Sequence, residues 1–219
     1  FRIPYICIGV TDSNGYYIIP NLYHGVYDIM ASKDGYGDSI ITDINISDNM
    51  EINFTLHPKI YLVNENFEDN NGGLESSGDW EWGTPTSGPD TVHSGSKLWG
   101  TNLSDSYSAS SNSRLILSDI DLTGISNPTL SFYHWYNIES HYDGGNVKIS
   151  INNGPWRILD SLNPPYNEKA FWSNAAIPDE PCYSGVEQKH WEEVTRNLSA
   201  YKDSIISLMF HFGSNSGTN

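Results

Sequence analysis

The feature that most constrains this chain is a side-chain period of two. Between Asn127 and Gly154, apolar and polar residues alternate along two runs separated by a polar, glycine-bearing link. Leu130, Phe132, His134, Tyr136 and Ile138 fall on one side of the first run, and Ser131, Tyr133, Trp135 and Asn137 on the other. Successive side chains of a strand point to opposite faces, so this spacing selects a strand. The second side is aromatic too, which predicts a central strand covered on both faces. In the second run Val147, Ile149 and Ile151 oppose Lys148, Ser150 and Asn152, the pattern of a half-buried strand. The link contains Asp143-Gly144-Gly145, residues that accept positive φ in tight connections. The expectation is a long hairpin that needs further strands over its apolar face.

The rest of the chain repeats this texture. Its 219 residues suffice for one large or two small domains. In residues 1–58, strands are expected at Tyr5–Val10, Tyr16–Pro20, Val26–Lys33, Ile40–Ile46 and Met50–Leu56. Turns at Asn14-Gly15, His24-Gly25 and Asp34-Gly35 separate them, and turns about every 8–12 residues predict a β-sandwich. Residues 59–219 form a second unit, with strands at Ile60–Phe67, Gly78–Gly83, Lys97–Thr101, Arg114–Leu117, Trp156–Leu162, Trp191–Leu198 and Ser204–Phe212. In the last of these Ile206, Leu208, Phe210 and Phe212 face in, and Ser207, Met209 and His211 face out. Residues 163–189 carry Pro164, Pro165, Pro178 and Pro181 without a period, as functional or flexible loops do.

Charge and cysteine usage narrow the function. Asp and Glu outnumber Lys and Arg 27 to 11, for a net charge of −16. That field repels phosphate backbones and argues against nucleic-acid binding. It suits divalent cations, though the commoner reading of an acidic surface is plain solubility. No stretch is long and apolar enough to cross a bilayer. The start, FRIPYICIGV, lacks both a signal peptide and an initiator Met, and reads as the interior of a longer chain. Cys7 reads as a small buried hydrophobe and Cys182 lies in the proline-rich stretch. A disulfide between them would tie the halves together, but connectivity does not follow from sequence. Sequons begin at Asn45, Asn53, Asn102 and Asn197, which matter if the host glycosylates secreted proteins.

Catalytic patterns are missing. A zinc-protease helix needs HExxH to bring two histidines to one metal, and His190 with Glu193 has the wrong spacing. No GxSxG elbow occurs, and Ser94-Gly95-Ser96 lacks its context. Nothing orients Cys182 toward His190. The chain is therefore expected to be non-catalytic.

Two resemblances follow from named residues. Thr11-Asp12, Asn14-Gly15-Tyr16, Leu22, Gly25, Tyr27, Ala31, Gly35-Tyr36 and Asn53-Phe54-Thr55-Leu56 resemble a carboxypeptidase regulatory-like domain, a small prealbumin-type sandwich. That family opens with further strands absent here, which implies an incomplete domain, and it passes on no catalytic residue. Asn66-Phe67-Glu68, Asp79-Trp80, Gly88-Pro89-Asp90-Thr91, His93-Ser94-Gly95, Leu115 to Ser118, Ile120-Asp121-Leu122, the expected hairpin, and Trp191 with Asn197 to Tyr201 resemble MAM-like jelly rolls. Such jelly rolls occur in secreted peptidases of the immune inhibitor A type and in surface adhesins. The family closes with an aspartate-bearing strand beyond the point where this chain ends. The implied fold is all-β: a small, incomplete prealbumin-like β-sandwich followed by a jelly-roll β-sandwich.

The MAM-like resemblance implies a structural Ca2+ where the first strand meets the last. Glu68 and Asp90 fall on the matching positions, with Asp69 as a weaker candidate, and hard cations take such loop oxygens. The alternative is a solvated acidic turn. Trp135, Trp156, Tyr166 and Trp172, with Tyr133 and Phe171, offer flat faces for sugar rings, or else belong to the core. The expected role is adhesion, binding or spacing in a secreted or cell-surface protein, beside other domains of the same parent chain such as a peptidase. Carbohydrate or a cell-surface protein would be the partner. The alternative is a filament or surface-layer subunit that assembles through open sheet edges, with Arg2 to Val10 as a donated strand.

Overall fold

A computed structural model of the chain describes residues 7–185 and 190–217. The chain divides into two compact units, Phe1–Tyr61 and Leu62–Asn219. Apart from one 3-10 turn at Ser199–Tyr201, the regular structure among the described residues is β.

In the first unit, β1 (Gly25–Ala31) and β2 (Ser39–Ile46) form an antiparallel pair. Tyr27, Ile29 and Ala31 are half-buried, whereas Val26, Asp28 and Met30 are exposed, so the sequence alternation is realised. A bulge follows Tyr27; Asp43 takes φ 58° there and donates its N–H to the Asp28 carboxylate at 3.0 Å. The expected turn at Asn14-Gly15 is present. The Asp12 carboxylate accepts the N–H groups of Asn14 and Tyr16, and Gly15 has φ 85°. The strands expected at 16–20 and 50–56 make no ladder. These segments meet through the Tyr17 hydroxyl, which donates to the Ile52 carbonyl at 2.8 Å, and through the Tyr17 and Phe54 rings. Residues 7–10 are not a strand, and the rest of the segment offered for donation, residues 2–6, lies outside the described residues. Among the described residues of this unit no side chain is fully buried.

The second unit contains β3 (Glu75–Ser77), β4 (Trp80–Gly83), β5 (Leu98–Thr101), β6 (Asn112–Asp121), β7 (Thr129–His134), β8 (Gly144–Ile151), β9 (Arg157–Ile158), β10 (Glu168–Lys169), β11 (Pro181–Cys182), β12 (Glu192–Asn197) and β13 (Ile205–Gly213). Its main sheet runs β3-β6-β13-β8-β9, entirely antiparallel. β7 pairs with β12, and β4–β5 and β10–β11 are separate ribbons. The core joins Val147, Ile149, Ile206 and Leu208 of the main sheet to Val194, Leu130 and Phe132 of the β7–β12 pair. Phe132 meets Phe210 edge-on at 5.1 Å. This apolar layer between two sheets is what a β-sandwich requires.

The expected hairpin does not form. β7 pairs with β12 and β8 with β13, so the two runs belong to different sheets. The link is anchored along its length, which prevents a tight turn. Tyr136 packs on the core, Ile138 is buried and bridges to Gly185, and the Asp143 carboxylate binds the Tyr107 hydroxyl and the Asn215 N–H. Nor is β7 covered on both faces: Ser131 and Tyr133 are exposed.

β8 and β13 err the other way. Ser150, Ser207, Met209 and His211 are buried although sequence places them outward, and Asn146, expected in the link, is buried as well. The proline-rich stretch lies over this face. Glu180 binds Lys148 at 2.7 Å and accepts from the Asn146 amide, while Ala170, Ile177 and Cys182 make a second small core. Glu180 and Pro181 of the stretch accept from Asn146, whereas Ser150, Ser207 and His211 find their partners at Gly154, Asp119 and Asn112, so the polar face can be buried. The strand expected at 60–67 is absent, that at 156–162 shrinks to β9, β6 outgrows its expected bounds, and β3 had no sequence signal. Cys7 and Cys182 are both free, so the considered disulfide is not formed.

Candidate functional site

The surface feature built from most parts is an aromatic tip where the start of β8 meets the proline-rich stretch. The Glu168 carboxylate accepts the Ser140 hydroxyl at 2.7 Å and the His141 N–H at 2.6 Å, with His141 Nδ1 3.2 Å away. The Phe171 N–H donates to the His141 carbonyl at 2.8 Å. Asn174, fully buried, donates to the Tyr142 and Gly213 carbonyls and accepts from the Ala176 and Ile177 N–H groups. These bonds lay Phe171 parallel to His141 at 5.8 Å and edge-on to Tyr142 at 5.0 Å. Tyr142 is 40 % exposed, Phe171 44 % and the adjoining Trp172 80 %.

Of the aromatic residues picked from sequence, Phe171 makes the ring contacts of this tip, and Trp172 follows it in the chain. Tyr166 is a core anchor: its hydroxyl accepts the Val147 N–H at 2.9 Å and lies within reach of the Val147 and Leu159 carbonyls. Burial pushes its phenol far up. Trp135 is half-buried beside Gly88, and Trp156 is 38 % exposed. Tyr133 is stacked by His93 at 3.6 Å. Sequence reasoning missed Tyr142 and His141 because only tertiary contact brings them to residues some 30 positions away.

The acidic candidates do not converge. Both oxygens of the Glu68 carboxylate are occupied: one by the Ser96 and Lys97 N–H groups at 2.9 and 2.8 Å, the other by the Ser96 hydroxyl at 2.9 Å. The backbone N–H groups of Ser96 and Lys97 hold its carboxyl below the usual range. Asp69 and Asp90 are exposed. Among the described residues no group of three or more His, Cys, Asp or Glu side chains is placed to hold a metal ion.

The reactive side chains outside the tip are mostly buried. Burial pushes the Cys182 thiol up to about 12, disfavouring the thiolate a nucleophile needs. Burial lowers His134, which faces Glu192 at 3.6 Å. Burial, with Lys148 and Arg114 nearby, lowers His211 to about 4, and its Nε2 pairs with the Asn112 side chain. Asp143 is wholly buried, and desolvation raises its carboxyl against the lowering effect of Asn215 and Tyr107. Among the sequon asparagines, Asn45, Asn53 and Asn197 are exposed, whereas the half-buried Asn102 donates its amide to the Ser106 carbonyl within a turn.

No family model matches the chain, and no solved structure matches it. Over 164 residues it is 33 % identical to Bacillopeptidase F of Bacillus subtilis (strain 168), covering 73 % of this chain and 10 % of that protein. The chain thus spans about a tenth of the length of the relative it matches, and it is a distant homologue of that portion of a protein named as a peptidase.

Proposed function

We propose that this chain is a non-catalytic accessory region of an extracellular multidomain protein, carried beside a peptidase domain and serving to bind or to space. The observation that carries the reading is the proportion of the match: most of this chain, but a tenth of Bacillopeptidase F. A peptidase domain has ample room in the remainder. The buried Cys182 thiol and the absence of a zinc or serine motif support the same reading. On it, the first unit is a carboxypeptidase regulatory-like sandwich and the second a MAM-like jelly roll. The purified chain should show no turnover of casein or of a fluorogenic peptide library. Turnover that co-purifies with the folded chain and responds to point substitution would overturn the reading.

A second reading has its own observation. In the first unit Val26, Met30 and Ile40 are 64 %, 59 % and 58 % exposed on a two-stranded ladder. Open edges beside apolar faces favour assembly by strand addition. Size-exclusion chromatography with light scattering separates the readings, because an accessory spacer runs as a monomer and a filament subunit runs as multimers that grow with concentration.

A further inference from the structure

An asparagine followed by glycine can react within its own chain. The glycine amide nitrogen attacks the side-chain carbonyl carbon of the asparagine and ammonia leaves. Water then opens the resulting succinimide to aspartate or isoaspartate. Glycine favours the attack because it has no Cβ to block the nitrogen. A nitrogen whose N–H is held by an acceptor, or an asparagine side chain that is itself hydrogen-bonded, must first be released. The sequence contains three such pairs, Asn14-Gly15, Asn71-Gly72 and Asn153-Gly154, and the fold treats them differently.

Asn71 is locked. Its side-chain oxygen accepts the Gly73 N–H at 3.1 Å, its amide donates to the Leu74 carbonyl at 3.3 Å, and the Gly72 N–H donates to the Asn70 side chain at 2.7 Å. Gly72 is also crowded, since a Cβ there would lie 2.8 Å from the Phe67 ring. Asn153 is exposed, but its turn is tied to β13. The Asn152 N–H donates to the Ile205 carbonyl at 2.8 Å, and the Asn152 side chain accepts the Ile205 N–H at 3.0 Å. Gly154 is pinned as well: its N–H donates to the Ile151 carbonyl at 2.9 Å, and its carbonyl accepts the Ser150 hydroxyl at 2.7 Å.

Asn14 has none of this protection. It is exposed and its side chain makes no hydrogen bond. A Cβ at Gly15 would meet nothing within 4 Å. The Gly15 N–H donates to the Asp12 carbonyl at 3.1 Å, and the remaining bonds of the turn join only Asp12, Asn14 and Tyr16. The turn therefore opens without breaking a contact to any distant segment, and openings of that kind lie at the low end of the free-energy scale. We propose that Asn14 is a site of spontaneous deamidation that reacts ahead of Asn153 and Asn71. Each event takes up one water, releases one ammonia and places a new carboxylate two residues from Asp12. As isoaspartate it also adds a methylene to the main chain just before Tyr17, whose hydroxyl and ring join this segment to Ile52 and Phe54.

The test incubates the intact chain at mildly alkaline pH, with a parallel sample in urea. Peptide mapping by mass spectrometry follows aspartate and isoaspartate at the three positions over time. In the folded chain Asn14 should convert faster than Asn153 and Asn71 by about tenfold or more, and the spread should shrink in urea, where the bonds that protect the other two are gone. Asn14→Gln should suppress conversion at that position and leave the other two rates unchanged, because the turn's bonds end on Asp12 and on main-chain groups. Conversion of Asn14 no faster than that of Asn153 or Asn71 in the folded chain would overturn the proposal. So would an equal spread of rates in the folded and unfolded samples, since sequence alone would then set the order.

Discussion

Glu68 shows how one residue can carry a local architecture. Its carboxylate gathers the turn at Ser96–Lys97, while Lys97 Nζ donates to the Glu68 carbonyl at 2.8 Å. Because the folded state holds its carboxyl low, Glu68 contributes stability above the ordinary carboxylate range, which is lost as pH falls through the folded value. Asp121, lowered by the side chain and N–H of Thr123, behaves alike. Asp143 has the opposite sign: its raised carboxyl contributes stability at low pH that is lost as pH rises through the folded value. Urea midpoints measured across pH 3–7 should therefore fall less in Glu68→Gln than in the parent as pH drops below about 4.5. Tyr107 gives a second outcome. Its hydroxyl donates to Asp143 at 2.9 Å and accepts the Glu139 N–H at 3.1 Å. Tyr107→Phe strips a donor from a buried carboxylate, and urea unfolding should show a loss of about 1–3 kcal/mol, larger at pH 7 than at pH 4.

Among the elements, β13 dominates the second unit. It is paired on both sides, and Ile206, Leu208 and Phe212 are buried. Leu208→Ala leaves a cavity between the sheets and should cost about 2–5 kcal/mol by urea denaturation. β1 and β2 lie at the other extreme, a lone pair without a fully buried residue among those described. A two-stranded ribbon is marginal in water, so amides of β1 and β2 should exchange with deuterium orders of magnitude faster than those of β13 and β8. Equal protection would mean that something not present here covers the first unit. Element existence was readable where a period of two persisted, as in β1, β7, β8 and β13. Pairing was not: the Gly144-Gly145 signal suggested a turn, yet β8 begins there and runs to β13.

For the whole molecule, the −16 charge is the governing quantity. Self-repulsion opposes compaction, and added salt screens it as the Debye length shortens from about 30 Å at 0.01 M to about 8 Å at 0.15 M. The Tm should therefore rise over that range. A Tm that falls instead would mean that local pairs such as Lys148–Glu180 outweigh the net repulsion.

The sequence by itself determined that the chain is built of strands, which residues of β1 and β7 share a face, and that its charge argues against nucleic-acid partners. Those properties are local or additive: alternation is a matter of neighbours, and charge is a sum. Only the tertiary structure decided that β7 and β8 part into different sheets, that the proline-rich stretch binds the buried Asn146, and that Tyr142 meets Phe171. Each of those outcomes depends on which distant segment supplies a hydrogen-bond partner or a packing surface, and no residue carries that information in its own position.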